Sequence, residues 1–171
     1  MLTTTLSAIL RRDLTALRRE IEAYPDDAAI WRTAPGLPNS GGVLCRHLCG
    51  NLRHFVGAAI GGSGYRRQRD AEFQAPPVPR EELLHLLAAT EAEVLQGLAR
   101  LTETDLRAPF PHPVDGRTLE TADFLVHLVV HLGFHLGQID YHRRALSGAT
   151  ASIAPMGIAA LASAVPAVPP P

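Results

Sequence analysis

Six of the eight histidines fall in two segments, His47 and His54 in the first and His127, His131, His135 and His142 in the second. Imidazole is the commonest protein ligand for transition metals, and two imidazoles four residues apart on a helix can reach one ion. His127, His131 and His135 cannot all share it, because the outer two stand about 12 Å apart along a helix axis. At about 100° of rotation per residue, His131 and His135 border the apolar stripe of Leu125, Leu128, Val129, Leu132, Leu136 and Ile139. His127 turns further toward solvent. On the first segment, His47, Asn51 and His54 border a stripe of Leu48, Phe55 and Ala59. A third imidazole from that segment would complete a three-histidine site with positions open for water or substrate. His85 and His112 lack such neighbours and read as surface residues.

Other chemistries are excluded by composition. All 16 basic residues are arginine, so Schiff-base, pyridoxal phosphate and P-loop lysine chemistry have no residue to use. Against 17 acidic residues they leave a formal net charge of -1, which argues against nucleic-acid or membrane-surface partners; a small-molecule substrate is expected on the separate ground of the histidine site. Cys45 and Cys49 lie on the far side of their helix from His47 and read as packing residues. Glu82 and His85 make one Glu-x-x-His, whereas a di-iron bundle needs two and further glutamates.

The elements that must position the histidines are marked out by the 14 prolines. Proline breaks helix interiors, and the windows free of it are 1–24, 39–75, 80–108 and 114–154. Each carries apolar residues at helical spacing, and few stretches alternate with period two, so the spacing predicts an all-α, four-helix bundle. The second helix is expected to fray at Gly61-Gly62-Ser63-Gly64, and the fourth to span Leu119 to Leu146. Asn39 or Ser40 can cap the second, Thr118 the fourth, and Gly148 can end the fourth. Gly133 and Gly137 form a small face opposite the histidines, suited to close contact within the bundle or across a dimer. Trp31, in the first long connection, is expected to plug the core. Residues 1–150 read as the bundle and 151–171 as an Ala/Pro-rich extension, with a short packed helix expected over Ile153 to Val165 and an extended tail after it. There is no basic region followed by an apolar run and cleavage site, and no apolar stretch near the ~20 residues that span a bilayer. A cytoplasmic, soluble protein is expected.

Three stretches together resemble a known family: His47-Leu48-Cys49-Gly50-Asn51-Leu52, the run Gly64 to Phe73 (GYRRQRDAEF), and His131 to Ile139 (HLGFHLGQI). They are similar to the DinB-like, or YfiT-like, metal-binding bundles, over roughly residues 5 to 147. The resemblance implies an up-down-down-up four-helix bundle, commonly a homodimer, holding one divalent metal. Carried over by motif, the metal ligands are His47, His131 and His135, which include the pair selected by the helical wheel. Characterised relatives include thiol-dependent S-transferases and a mycothiol-dependent maleylpyruvate isomerase, and others are called hydrolases. The extra C-terminal domain of the isomerase type is not expected here, which counts against that activity.

Three neutral imidazoles leave a bound ion its full charge, so it can lower the pKa of water or of a thiol cosubstrate. They accept several divalent transition metals, zinc and nickel foremost. Asn51, one turn beyond His47, can orient a ligand or substrate, and His54 can serve as a donor behind the metal ligands. Arg66, Arg67, Arg69, Asp70 and Glu72 read as a solvated connection with internal ion pairs, or else as a contact for an anionic cosubstrate. Two classes of function fit: a metal-dependent transferase adding a low-molecular-weight thiol to small electrophiles, with hydrolysis as its variant, and a non-catalytic metal-binding or stress-related bundle.

Overall fold

The structure, a computed structural model, describes residues 2–153 and 156–167. The chain runs α1 (Leu2–Glu22), α2 (Asp27–Trp31), α3 (Gly41–Leu52), α4 (Arg69–Gln74), α5 (Arg80–Leu98), α6 (Glu103–Arg107) and α7 (Thr121–Ser147). A π-helical turn, Arg53–Ala58, extends α3, and a 3-10 turn covers Ile158–Ala160. Among the described residues there is no strand, only isolated bridges. The four proline-free windows thus become the four longer helices, and each long connection carries one short helix.

The four longer helices share one core. Leu6, Leu10, Leu14, Leu17 and Ile21 recur on α1 at helical spacing and are buried, as are Leu125, Leu128, Leu132 and Ile139 on α7. α1 packs against α5 and α7, and α3 against the same two, so α1 and α3 stand at opposite corners. Near the end of α1, Arg80 of α5 donates to the carbonyls of Glu22 and Tyr24, each at 2.8 Å. Beside it, the Arg143 guanidinium of α7 pairs with Glu20 of α1, both nearly fully buried. A Cβ on Gly41, the first residue of α3, would overlap the Tyr24 hydroxyl, so glycine lets α3 begin against that ring.

The helix ends follow local chemistry, with two departures. Ser40 caps α3 by accepting from the Val43 N–H, and Gly148 ends α7 at φ 71 with its N–H on Arg144 O. Thr118 does not cap α7. The cap position is Glu120, and the Thr121 N–H and hydroxyl both donate to Ala108 O at 2.9 Å, so the preceding loop sets where α7 starts. The second departure is the π turn, where the sequence predicts ordinary helix up to Gly61.

Trp31 is half-buried at the edge of the core, not at its centre; its Nε1 donates to Val78 O at 2.9 Å. Of the packed helix expected over Ile153 to Val165, the exposed turn Ile158–Ala160 is the only helical part among the described residues. The end of the tail, residues 168–171, lies outside the described residues. An 18-residue window of α7 has a mean hydropathy of 1.2, long and apolar enough to cross a bilayer, where the sequence reading expected none. The leucines of that helix face the shared core.

Candidate metal centre

α3 and α7 bring His47, His131 and His135 together along one side of the bundle. His131 Nε2 lies 3.3 Å from His47 Nε2 and 3.1 Å from His135 Nε2. The i, i+4 spacing on α7 sets the second pair on one face with rings edge to face at 4.6 Å, and packing of α3 on α7 adds the third ring. His47 is buried and the other two half-buried.

The outer nitrogens decide what the inner ones present. His47 Nδ1 donates to Glu72 Oε2 at 2.9 Å, and His135 Nδ1 donates to Gln138 Oε1 at 2.6 Å. With those protons on Nδ1, both Nε2 atoms carry lone pairs aimed at His131. Three imidazole nitrogens crowded this way suit a cation. Tetrahedral coordination at bond lengths of about 2.0–2.1 Å would hold ligand nitrogens about 3.3 Å apart. The two separations from His131 match that spacing, all three ligand nitrogens lie within 4.8 Å of one another, and a neutral N₃ donor set suits a divalent transition metal, so the residues fit such an ion. Burial, with His135, His47, His127 and Arg67 acting the same way, holds the His131 pKa down at about 4. Burial also lowers His135, partly opposed by the bond to Gln138. Both are therefore neutral and able to ligate at ordinary pH.

Glu72 belongs to α4, which the connection after the π turn lays over α3. Its side chain is buried, and Arg67 grips both carboxylate oxygens, Nε on Oε1 at 2.6 Å and Nη2 on Oε2 at 2.8 Å. Burial alone would raise its pKa, but hydrogen bonds from Arg67 and His47 bring it below the ordinary carboxylate value. The expected internal ion pair in this loop is present, but the expected solvation is not: the pair lies inside, against a triad histidine. Arg66, Arg69 and Asp70 are exposed.

The triad opens into a cleft of about 660 Å³, also lined by Asn51, Phe55, Phe124, His127 and Arg69. Asn51 is 8% exposed, and its Oδ1 is buried with no hydrogen-bond partner among the described residues. His127, exposed, stacks between Phe124 and His131, further out than the pair, as its wheel position predicts. His54 stands apart, in the π turn against Phe55. Burial and the Arg67 charge lower its pKa. Its ring packs on Phe55 rather than on the triad, and the proton acceptor behind His47 is Glu72. Cys45 and Cys49 are fully buried thiols that do not line the cleft, and His85 and His112 are exposed. Gly133 and Gly137 contact nothing that a Cβ would meet within 4 Å, which removes the bundle-interior half of their expected role.

Sequence reasoning missed Glu72 and Gln138 as partners of the triad. Gln138 had a usable signal, standing three residues after His135 on the same helix face. Glu72 had none, since its approach to His47 depends on how the loop docks.

A family profile described as the DinB superfamily matches residues 9–139. No curated protein and no solved structure matches the chain.

Proposed function

The chain belongs to the DinB superfamily, and from that premise we propose that it binds one divalent transition metal, zinc or nickel, on His47, His131 and His135. We read it as a metal-dependent transferase that adds a low-molecular-weight thiol to small electrophiles. The observation that carries the reading is the convergence of three imidazole Nε2 atoms at 3.1 and 3.3 Å with the outer rings fixed from behind.

A divalent ion supplies Lewis acidity there, lowering the pKa of a thiol. The chain's own residues do the rest. Glu72 and Gln138 keep the His47 and His135 protons on Nδ1, leaving Nε2 free. The unpartnered Asn51 Oδ1 offers an acceptor that orients a donor group of a bound molecule. Arg69 at the mouth attracts an anionic cosubstrate, while Phe55 and Phe124 keep that wall of the cleft apolar. In the transfer the thiol S–H bond breaks and sulfur bonds to the electrophilic carbon. The leaving group departs with its bonding pair, and the thiol proton passes to solvent.

The bundle reading is up-down-down-up. It is supported by Arg143 and Glu20 meeting near the ends of α7 and α1, and by Arg80 at the start of α5 reaching the carbonyls after α1. We also propose a homodimer joined through the outer face of α7, where Val130, Phe134 and Tyr141 stand exposed beside Gly133 and Gly137. The site lies within residues 1–150, and the protein is read as cytoplasmic.

The test is metal analysis of the purified protein, followed by turnover assays with thiols and small electrophiles. About one ion per chain is expected, with turnover abolished by His131→Ala. Retention of the ion after changing each of the three histidines would sink the assignment. Ester hydrolysis without thiol would move the reading to a hydrolase, and metal binding without either activity would move it to a binding protein.

A further inference from the structure

Two motifs lie 20 residues or so apart in the chain, His47-x-x-Gly50-Asn51 on α3 and Arg67 to Phe73 in the loop and α4. They meet at the Glu72 carboxylate. Gly50 is the residue that lets it in: a Cβ there would overlap Glu72 Oε1 and come within 2.7 Å of its Cδ. α4 is fastened over α3 from outside as well. Arg46 donates to the carbonyls of Glu72, Ala75 and Pro76 at 3.1, 2.8 and 3.1 Å, and its guanidinium lies 4.7 Å over the Trp31 ring. Phe73 packs beside His47 at 5.1 Å between centroids. A loop that contributes no ligand is therefore secured at four points, one of which is His47 itself.

We propose that Glu72 is the positioning residue of the metal centre, and that Gly50 exists in α3 to make room for it. The carboxylate holds the His47 proton on Nδ1 and sets the ring's angle, so that Nε2 points at His131 and His135 before any ion arrives. Arg67 spans both oxygens of Glu72 and fixes which one faces His47. A histidine ligand whose outer N–H is held by a carboxylate is more basic and better oriented, and loss of such a partner typically weakens metal binding 10- to 100-fold. The inference rests on the three-histidine reading above, and its test separates the two.

The test is a zinc competition titration against a chromophoric chelator, using the full chain and the variants His131→Ala, Glu72→Ala, Glu72→Gln and Gly50→Ala. Thermal melts of the zinc-free proteins accompany it. Expected results are loss of binding in His131→Ala, and zinc binding weakened about 10- to 100-fold in Glu72→Ala and Gly50→Ala. Glu72→Gln, which keeps an acceptor, should recover part of the loss. Nitrogen-15 spectra of the zinc-free protein should show His47 protonated on Nδ1 in the wild type and a tautomer mixture in Glu72→Ala. If Gly50→Ala fails to fold, the two Glu72 variants and the spectra decide. Wild-type affinity and an unchanged His47 tautomer in Glu72→Ala, with binding lost in His131→Ala, would overturn this inference alone. Zinc retained by His131→Ala would overturn the ligand assignment itself.

Discussion

Tyr24 Oη stands 2.7 Å from His142 Nδ1, and His142 Nε2 stands 2.8 Å from Arg32 O. The hydroxyl donates to Nδ1 and Nε2–H donates to the carbonyl, so the ring is held neutral between them. The contact joins the segment after α1, the end of α2 and the last turns of α7.

A pH dependence follows. Burial lowers the His142 pKa below its ordinary 6.5, with the hydrogen bond to Arg32 acting the other way. A folded-state pKa below the unfolded value gives stability that is present above 6.5 and lost as pH falls through the folded pKa. Thermal melts of the metal-free protein should therefore fall between pH 7 and 5, on the order of the unfolded histidine range. His142→Gln should flatten that slope; His131 and His135 titrate in both proteins and cancel in the comparison. Parallel profiles would rule out the assignment.

Arg143 and Glu20 form an ion pair with both side chains nearly sealed from water. Arg143→Met should cost about 3–5 kcal/mol, because it strands a buried carboxylate. Combining it with Glu20→Leu should restore most of the loss. A double-mutant cycle by urea denaturation measures the coupling, and a double variant as unstable as Arg143→Met would contradict it.

Asn51 tests the cleft separately from its ligands. Asn51→Ala should leave zinc stoichiometry unchanged and lower thiol-transfer turnover about 10- to 100-fold. Unaltered turnover would reduce Asn51 to a packing residue.

The outer face of α7 tests assembly. Val130, 64% exposed, lies on it between the His127 and Phe134 positions. Val130→Glu should convert a dimer to a monomer in sedimentation velocity while zinc binding persists. A monomeric wild type at the same concentration would refute the proposed interface.

The sequence carried the helices because proline acts locally: it cannot occupy a helix interior wherever the rest of the chain goes. The His131–His135 pair was legible for the same reason, since four-residue spacing on α7 sets two rings on one face regardless of tertiary packing. His47 needed the family resemblance, because the helical wheel could not separate it from His54. Glu72 was hidden further still. A carboxylate among arginines in a loop reads as solvated, and only the docking of α4 buries it. Thr118 misled for a related reason. It has good capping chemistry, but the bonds from Thr121 to Ala108 fix the start of α7 three residues later.

The π turn at Arg53–Ala58 holds one residue more than an α-helical path over the same rise. Loss of a single residue there can be absorbed by closing the turn to ordinary α-helix, with both flanks keeping their rotation. The same loss between Gly41 and His47 would swing the helix start about 100° relative to the imidazole. A one-residue deletion would thus be tolerated within residues 53–58 and would misplace His47 if it fell between Gly41 and His47, making the π turn the place where this helix can shorten without disturbing the site.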